Sequence, residues 1–350
     1  MKKEYNLEFN ISKYIKNITC KDNIKIIPIF IPHLGCNNNC VFCNQRKISG
    51  NNIPKKIEEV KEEIEMELDN LDGKNNLIQI AFFGGSFTGL TIIEQINYLK
   101  LANEYINIGK VDSIRISTRP DYINKKILQV LKKYNVKTIE LGVQSMDNEV
   151  LTVSKRGHTD LDVKKAARLI NLFGFELGFQ IMVGLPKSTI DKEIYTIKIL
   201  KKYKAKYLRI YPVYVLKESE LYDMYIDKIY YPLKLDEASS RTSLIIKECL
   251  DTDIKIIRIG LQATDKITSA NQEVIGPVSD NFADWSISKL ILPDLENKIK
   301  SILEKDKDIS KLNINTNNKY HSFVSGPSKC NKNYIETKYN IKIKFKGDIK

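Results

Sequence analysis

Short runs of β-branched and aromatic residues alternate with longer amphipathic stretches along the first two-thirds of the chain. The short runs are Ile26–His33, Leu77–Phe83, Ser113–Ser117, Thr138–Val143, Glu176–Met182 and Tyr207–Tyr211. Between them, Ile53–Leu71, Thr91–Tyr105, Asn124–Tyr134, Asp160–Phe173 and Thr189–Tyr203 carry apolar residues three and four apart. The first pattern suits buried strands and the second suits helices, so a parallel sheet with crossover helices is predicted. Six such units make an α/β fold, an open, partial (β/α)6 TIM-like barrel. In barrels of this kind chemistry gathers at the C-terminal ends of the strands.

The rhythm changes after Leu235. A helix over Asp236–Leu250 leads into a strand-like Ile254–Ile259, and a last helical stretch, Phe282–Lys305, is expected to break near Pro293. A strand-like Lys319–Val324 and a basic end at Ile341–Phe345 follow. These elements predict a smaller C-terminal α+β region. The expected organisation is an N-terminal extension over 1–23, a barrel core over 24–235 and the α+β region over 236–350.

Length and composition narrow the class. The chain has 350 residues, 42% of them apolar, enough for a sizeable core. No apolar run approaches the roughly 20 residues needed to cross a bilayer. Met1-Lys2-Lys3 continues with Glu4, Asn6 and Glu8 and lacks an apolar segment of the signal-peptide kind, so a cytoplasmic protein without a membrane partner is expected. The formal net charge of +13 favours a polyanionic partner such as RNA. A chain rich in Lys, Asn and Ile throughout would also be basic without a phosphate-binding face.

The cysteines carry the chemistry. Three of the six fall between Cys36 and Cys43, in the loop after the first predicted strand, spaced C-x3-C-x2-C. Thiolates at Cys36, Cys40 and Cys43 can each reach one corner iron of a four-iron cubane, leaving the fourth iron without a protein ligand. A zinc site is the alternative, with His33 as a fourth ligand, although zinc prefers paired knuckles and no second pair exists. Cys20, Cys249 and Cys330 lie far apart and suit small buried hydrophobes.

The spacing, with Phe42 before the last cysteine, resembles the radical S-adenosylmethionine (SAM) superfamily. That resemblance implies a [4Fe-4S] cluster and SAM as cofactors, with the cluster breaking SAM reductively. Further motifs are similar to the family's, each just after a predicted strand. Gly84-Gly85-Ser86 looks like the glycine motif for the SAM amino group, and glycine permits the close backbone approach this needs. Phe42 suits an adenine flank. Gln144, in Glu140-Leu141-Gly142-Val143-Gln144-Ser145-Met146-Asp147, joins the implied SAM contacts, Arg156 fits the contact to the SAM carboxylate, and Gln180 fits one to the ribose. Relatives often carry an acidic residue near the end of the third strand, where this chain has Ser117.

Within the superfamily the chain resembles the catalytic subunit of Elongator and its bacterial stand-alone relatives. The match rests on Glu140–Asp147, Gln180–Pro186, Arg209–Lys217, Ile257–Gln262 and Gly276-Pro277. It implies an RNA substrate, in particular a transfer-RNA base, and a reductant such as flavodoxin or ferredoxin. Two departures stand out. The chain after Gln262 is too short for the Elongator acetyltransferase domain, and Ser279-Asp280-Asn281 stands where His-Pro-Ala is expected. Tyr211, Lys217, Arg258 and Gln262 are the substrate-side candidates, placed where the barrel mouth should meet the C-terminal region. Two other functions fit the same motifs. One is a radical enzyme acting on a small metabolite, as in oxygen-independent coproporphyrinogen oxidases. The other is a non-enzymatic RNA-binding protein with a structural cluster.

Overall fold

A computed structural model describes residues 3–18, 24–31, 36, 39–43, 55–71, 77–261 and 274–347. Its centre is a parallel sheet in which sequence order is also spatial order. The strands are β2 (Ile24–Ile31), β3 (Leu77–Gly84), β4 (Ser113–Thr118), β5 (Val136–Gln144), β6 (Glu176–Val183), β7 (Ala205–Pro212) and β9 (Lys255–Ile259). Side chains alternate between the two faces of a strand. Ile80, Phe82, Ile114, Ile116, Ile139, Leu141, Leu177 and Ile210 share one face and are fully buried, while the opposite face of the same strands carries polar residues such as Arg115, Glu140 and Arg209.

The crossover helices start where short polar side chains can cap them. Thr91 and Thr159 form capping boxes with Glu94 and Asp162, and Asn124 and Thr189 accept from the N–H groups of Ile127 and Lys192. Each cap satisfies backbone donors that the first turn leaves unpaired. Strand, short loop and capped helix thus repeat, and the strand-to-helix loops all emerge at the C-terminal end of the sheet.

The sheet runs one strand past the six expected. Lys255–Ile259 pairs in parallel with β7 from Tyr207–Lys255 to Ile210–Ile259, with a register shift between Leu208 and Arg209. A two-residue strand β8 (Val215–Leu216) follows β7 and pairs antiparallel with β10 (Val274–Ile275). A second, three-stranded parallel sheet joins β1 (Lys3–Glu8) to β11 (Ile309–Asn315) and β12 (Lys342–Lys346). The start of the chain is therefore built into the same sheet as its end.

Two elements differ from expectation. The Phe282–Lys305 helix runs through Pro293 without a break. Proline removes one helical hydrogen bond and costs about 3 kcal/mol, but Ile291 and Leu295 on either side are fully buried and hold the helix in line. The stretch Lys319–Val324 is not a strand: a short 3₁₀ turn, Asn318–Tyr320, leads into the helix His321–Ser325. Its aromatic residues are spaced three apart, and Tyr320 and Phe323 stack with centroids 6.0 Å apart, a helical rather than an extended pairing. Among the described residues no helix is long and apolar enough to cross a membrane.

Candidate active site

The loop after β2 is tied down from three directions. Val41 is buried in a small apolar cluster with Val150, Leu185, Val213, Val215 and Leu221. Its N–H donates to the Ser154 carbonyl at 3.3 Å, and its own carbonyl accepts from the Leu221 N–H at 2.8 Å. Cys43 turns back on Cys40, its N–H donating to the Cys40 carbonyl at 2.9 Å. The cysteine loop is therefore held by packing, which suits residues that must keep a fixed geometry.

The glycine turn after β3 meets that loop. Gly85 donates to the carbonyl of Ile31, the last residue of β2, at 3.1 Å. Gly84 has φ of 99°, and a Cβ there would stand 2.6 Å from the same carbonyl oxygen. Only glycine allows both the left-handed backbone and that approach. Ser86 is buried: its Oγ accepts from the Arg119 N–H at 2.9 Å and pairs with Thr118 Oγ1 at 2.8 Å. The Ser86 backbone in turn hydrogen-bonds the Cys36 thiol. Burial pushes that thiol above its ordinary value, and Arg119, the Ser86 backbone and Arg156 pull against this.

Arg156 joins the cysteine loop to the end of β5. Its Nη1 donates to Cys40 Sγ at 3.1 Å, its Nη2 donates to the Gly142 carbonyl at 2.7 Å, and its guanidinium lies 5.9 Å from the Phe42 ring centroid. Arg119 donates to the Arg156 carbonyl and is itself gripped by both oxygens of Asp121 at 3.0 and 2.9 Å. Gln144 sits in the left-handed region at φ of 66°, unusual for a residue with a side chain. Its Oε1, together with Arg156 Nε and His158 Nδ1, is buried without a hydrogen-bond partner among the described residues. Burial, then the neighbouring Arg156 and Arg119, push His158 down to about 3, so its ring is neutral.

Deeper in the barrel lies a second polar group. Glu140 on β5 is 1% exposed and accepts from Arg115 Nη1 at 2.6 Å, Arg209 Nε at 2.6 Å and Gln180 Nε2 at 2.9 Å. Gln180 also donates to Ser117 Oγ at 2.9 Å, and Arg115 donates to Gln79 Oε1 at 3.1 and 3.0 Å. Burial works to raise the Glu140 carboxyl, but the Arg209 and Arg115 guanidiniums outweigh it and hold the group at about 2. A Cβ at Gly178 would stand 2.9 Å from Glu140 Cγ, so glycine leaves room for the carboxylate.

The expected site residues thus divide. Cys36, Cys40, Phe42, Gly84, Gly85, Ser86, Gln144 and Arg156 come together at the strand ends, with Cys43 one turn from Cys40. Ser117 and Gln180 meet each other, but through the buried Glu140 group. Arg209 hydrogen-bonds the Tyr211 hydroxyl, and Arg258 lies within electrostatic reach of both. Lys217 is exposed, and Gln262 and His33 lie outside the described residues. Cys249 is fully buried, its thiol pushed up to about 12 by burial, as a small hydrophobe should be; Cys330 is half-buried and Cys20 lies outside the described residues. Arg115, Arg119 and Arg209 were not singled out from sequence. Their signal was an arginine at an inward position of an otherwise apolar strand or at its end.

Among the described residues no three His, Cys, Asp or Glu side chains close on a single ion. A cubane places each thiolate on a different iron, so its sulfurs stand further apart than the donors of one ion. The donor set fits such a cluster: three thiols on one short loop, two of them facing shared guanidiniums, beside orphaned polar atoms on Gln144 and Arg156 that a zwitterionic ligand can satisfy.

Comparison with known proteins agrees. The family model described as the radical SAM superfamily matches residues 30–200, and one described as a Radical_SAM C-terminal domain matches residues 205–291. A tRNA uridine(34) acetyltransferase of Methanocaldococcus jannaschii is 29% identical over 192 residues, covering 49% of this chain and 36% of that protein. The chain thus spans about a third of that relative's length. A second protein of the same organism, described as uncharacterized, is 28% identical over 303 residues, 83% of this chain and 88% of its own length. Among solved structures, an N-terminally truncated archaeal Elp3 of Methanocaldococcus infernus superposes with a TM-score of 0.59 at 22% identity, over 82% of this chain and 64% of that one. The superfamily uses a [4Fe-4S] cluster and SAM. With its strand order, its cysteine loop and two consecutive family models in agreement, the chain belongs to the radical SAM superfamily.

Proposed function

We propose that the chain cleaves SAM reductively at a [4Fe-4S] cluster held by Cys36, Cys40 and Cys43, and uses the product to modify an RNA substrate, a transfer-RNA base. The observation that carries this is the convergence of Cys36, Cys40, the Gly84-Gly85-Ser86 turn and Arg156 at adjacent strand ends. When bound, the cluster supplies an electron to the SAM sulfonium and so releases a carbon radical able to abstract hydrogen.

The chain's own residues bind and orient. The glycine turn, whose Gly84 admits close backbone approach, suits the SAM ammonium, and Arg156, aimed between Cys40 and the end of β5, suits its carboxylate. Phe42 offers its ring to the adenine. Ser117 and Gln180 offer hydrogen bonds to the ribose from a position fixed by Glu140. Tyr211, Lys217, Arg258 and Gln262 are candidates on the substrate side. Flavodoxin or ferredoxin would supply the electron.

The RNA part rests on the relatives' names and on the net charge of +13. Protein reconstituted with iron and sulfide should release 5′-deoxyadenosine from SAM in the presence of dithionite, and Cys40→Ala should not. Comparing modified nucleosides in transfer RNA from a deletion strain and its parent tests the substrate. An unchanged nucleoside profile alongside intact SAM cleavage would remove RNA and keep the radical chemistry.

A further inference from the structure

A cleft of 880 Å³ opens between the start of the Phe282–Lys305 helix and the C-terminal segment 321–345. None of its lining residues belongs to the cysteine loop, and its C-terminal wall falls beyond residue 291, where the family match ends. The two walls differ in chemistry. The helix contributes Trp285 and Asp284, and the C-terminal segment contributes Lys329, Lys332 and Lys344.

Each part points to the same kind of ligand. Two helices begin at the cleft, Phe282–Lys305 and Cys330–Tyr339, and neither has a side-chain cap on its first N–H groups. Uncapped helix starts favour an anion. Lys329 and Lys344 are exposed and make no ion pair among the described residues, while Lys332 pairs only loosely with Glu336 at 3.8 Å. Trp285 is the chain's one tryptophan, partly exposed, and no other described ring stacks on it. Asp284 is half-buried, and burial raises its carboxyl. A bare anion gains nothing from the ring and is opposed by the acid. A ligand with a flat aromatic part, hydroxyl or amino donors and a phosphate uses all of them. The volume is that of a small-ligand pocket, typically about 300–1,000 Å³.

We propose that this cleft binds a nucleoside phosphate, its base stacked on Trp285, its donors facing Asp284 and its phosphate among Lys329, Lys332 and Lys344. Ser279 and Asp280 line the same cleft, and both also interact with Tyr214, which follows β7 at the barrel mouth. The site is independent of the SAM assignment. Its ligand is either a free nucleotide or one nucleotide of an RNA strand.

The test uses the full-length protein with its cluster reconstituted, titrated with UMP, AMP, a single-stranded RNA oligonucleotide and inorganic phosphate. Binding is followed by calorimetry and by the fluorescence of Trp285. Saturable quenching by the monophosphates identifies a free nucleotide, and quenching by the oligonucleotide alone identifies RNA. Lys329→Glu combined with Lys344→Glu should weaken either ligand by roughly tenfold or more. Both side chains are exposed, so melting temperature and SAM binding should not move. Trp285→Ala, read by calorimetry, should weaken binding comparably. The proposal fails if no nucleotide or oligonucleotide binds, if the double charge reversal changes affinity by less than about twofold, or if inorganic phosphate binds as tightly as UMP.

Discussion

The barrel holds two polar groups a few residues apart in sequence, and they are finished to different degrees. In the deep group, Glu140, Arg115, Arg209, Gln180 and Gln79 satisfy one another, and none has a buried atom without a partner. In the group at the strand ends, Gln144 Oε1, Arg156 Nε and His158 Nδ1 are buried and unpaired among the described residues, and Gln144 is held in a strained backbone conformation. An unpaired buried polar atom costs about 1–3 kcal/mol. The chain bears that cost at the strand ends and avoids it one layer below. The complete network braces the scaffold, whereas the incomplete one lies beside the cysteine loop, where the proposed ligand would find polar partners.

Changing one residue in each group should separate chemistry from stability. The largest effect is expected from Cys40→Ala. SAM cleavage should fall to background and iron content should drop, while the melting temperature of the iron-free protein stays close to wild type. Its sulfur accepts one hydrogen bond from Arg156, but Arg156 keeps its bond to the Gly142 carbonyl and the loop is held separately through Val41 and Leu221, so the fold should survive the loss. A collapse of the iron-free fold would show the cysteine loop to be structural instead.

Glu140→Gln should do the reverse. It leaves Arg115 and Arg209 facing each other without their shared carboxylate, and breaking a buried ion network of this kind costs about 3–5 kcal/mol. Denaturant unfolding measures it directly, and a loss below about 1 kcal/mol would show the network to be solvated. The same group gives a pH signature. Its folded value of about 2 lies below the ordinary 4.5, so the stability it contributes is fully present above pH 4.5 and disappears as pH falls toward 2. Glu140→Gln should flatten that acid limb.

Arg156→Lys belongs to the strand-end group and should act mainly on binding. Lysine keeps the charge but cannot reach Cys40 Sγ and the Gly142 carbonyl together, as the guanidinium does at 3.1 and 2.7 Å. SAM affinity of the reconstituted protein should fall by roughly tenfold, equivalent to about 1.4 kcal/mol. An unchanged affinity would remove Arg156 from the ligand shell.

The two groups were also unequally legible in the sequence. Cys36, Cys40, Cys43 and Gly84-Gly85-Ser86 announce themselves because their chemistry depends on local spacing, and the strand–helix rhythm placed them after strands. The deep network is assembled from β3, β4, β5, β6 and β7, and its pairing of Glu140 with Arg115 and Arg209 depends on register that no local pattern encodes. The strand Lys3–Glu8 was missed for a related reason. Only Leu7 in it is buried, so it lacks a hydrophobic face and owes its existence to pairing with Ile309–Asn315. The continuous helix through Pro293 shows burial of Ile291 and Leu295 overriding a local signal.

Gln144→Gly gives the smallest and most specific separation of the two groups. At φ of 66° a side chain is strained, by about 1–2 kcal/mol where no local hydrogen bond compensates, and glycine is not. The substitution also removes the buried, unpaired Oε1. Against these gains stands the extra freedom glycine brings to the unfolded chain, about 0.5–1 kcal/mol. The net expectation is a protein as stable as the wild type or more stable by up to about 1 kcal/mol, which nonetheless binds SAM more weakly. Gaining stability while losing affinity is what distinguishes a residue kept for its ligand from one kept for the fold. A clear loss of stability with unchanged SAM affinity would place Gln144 with the scaffold, alongside Glu140.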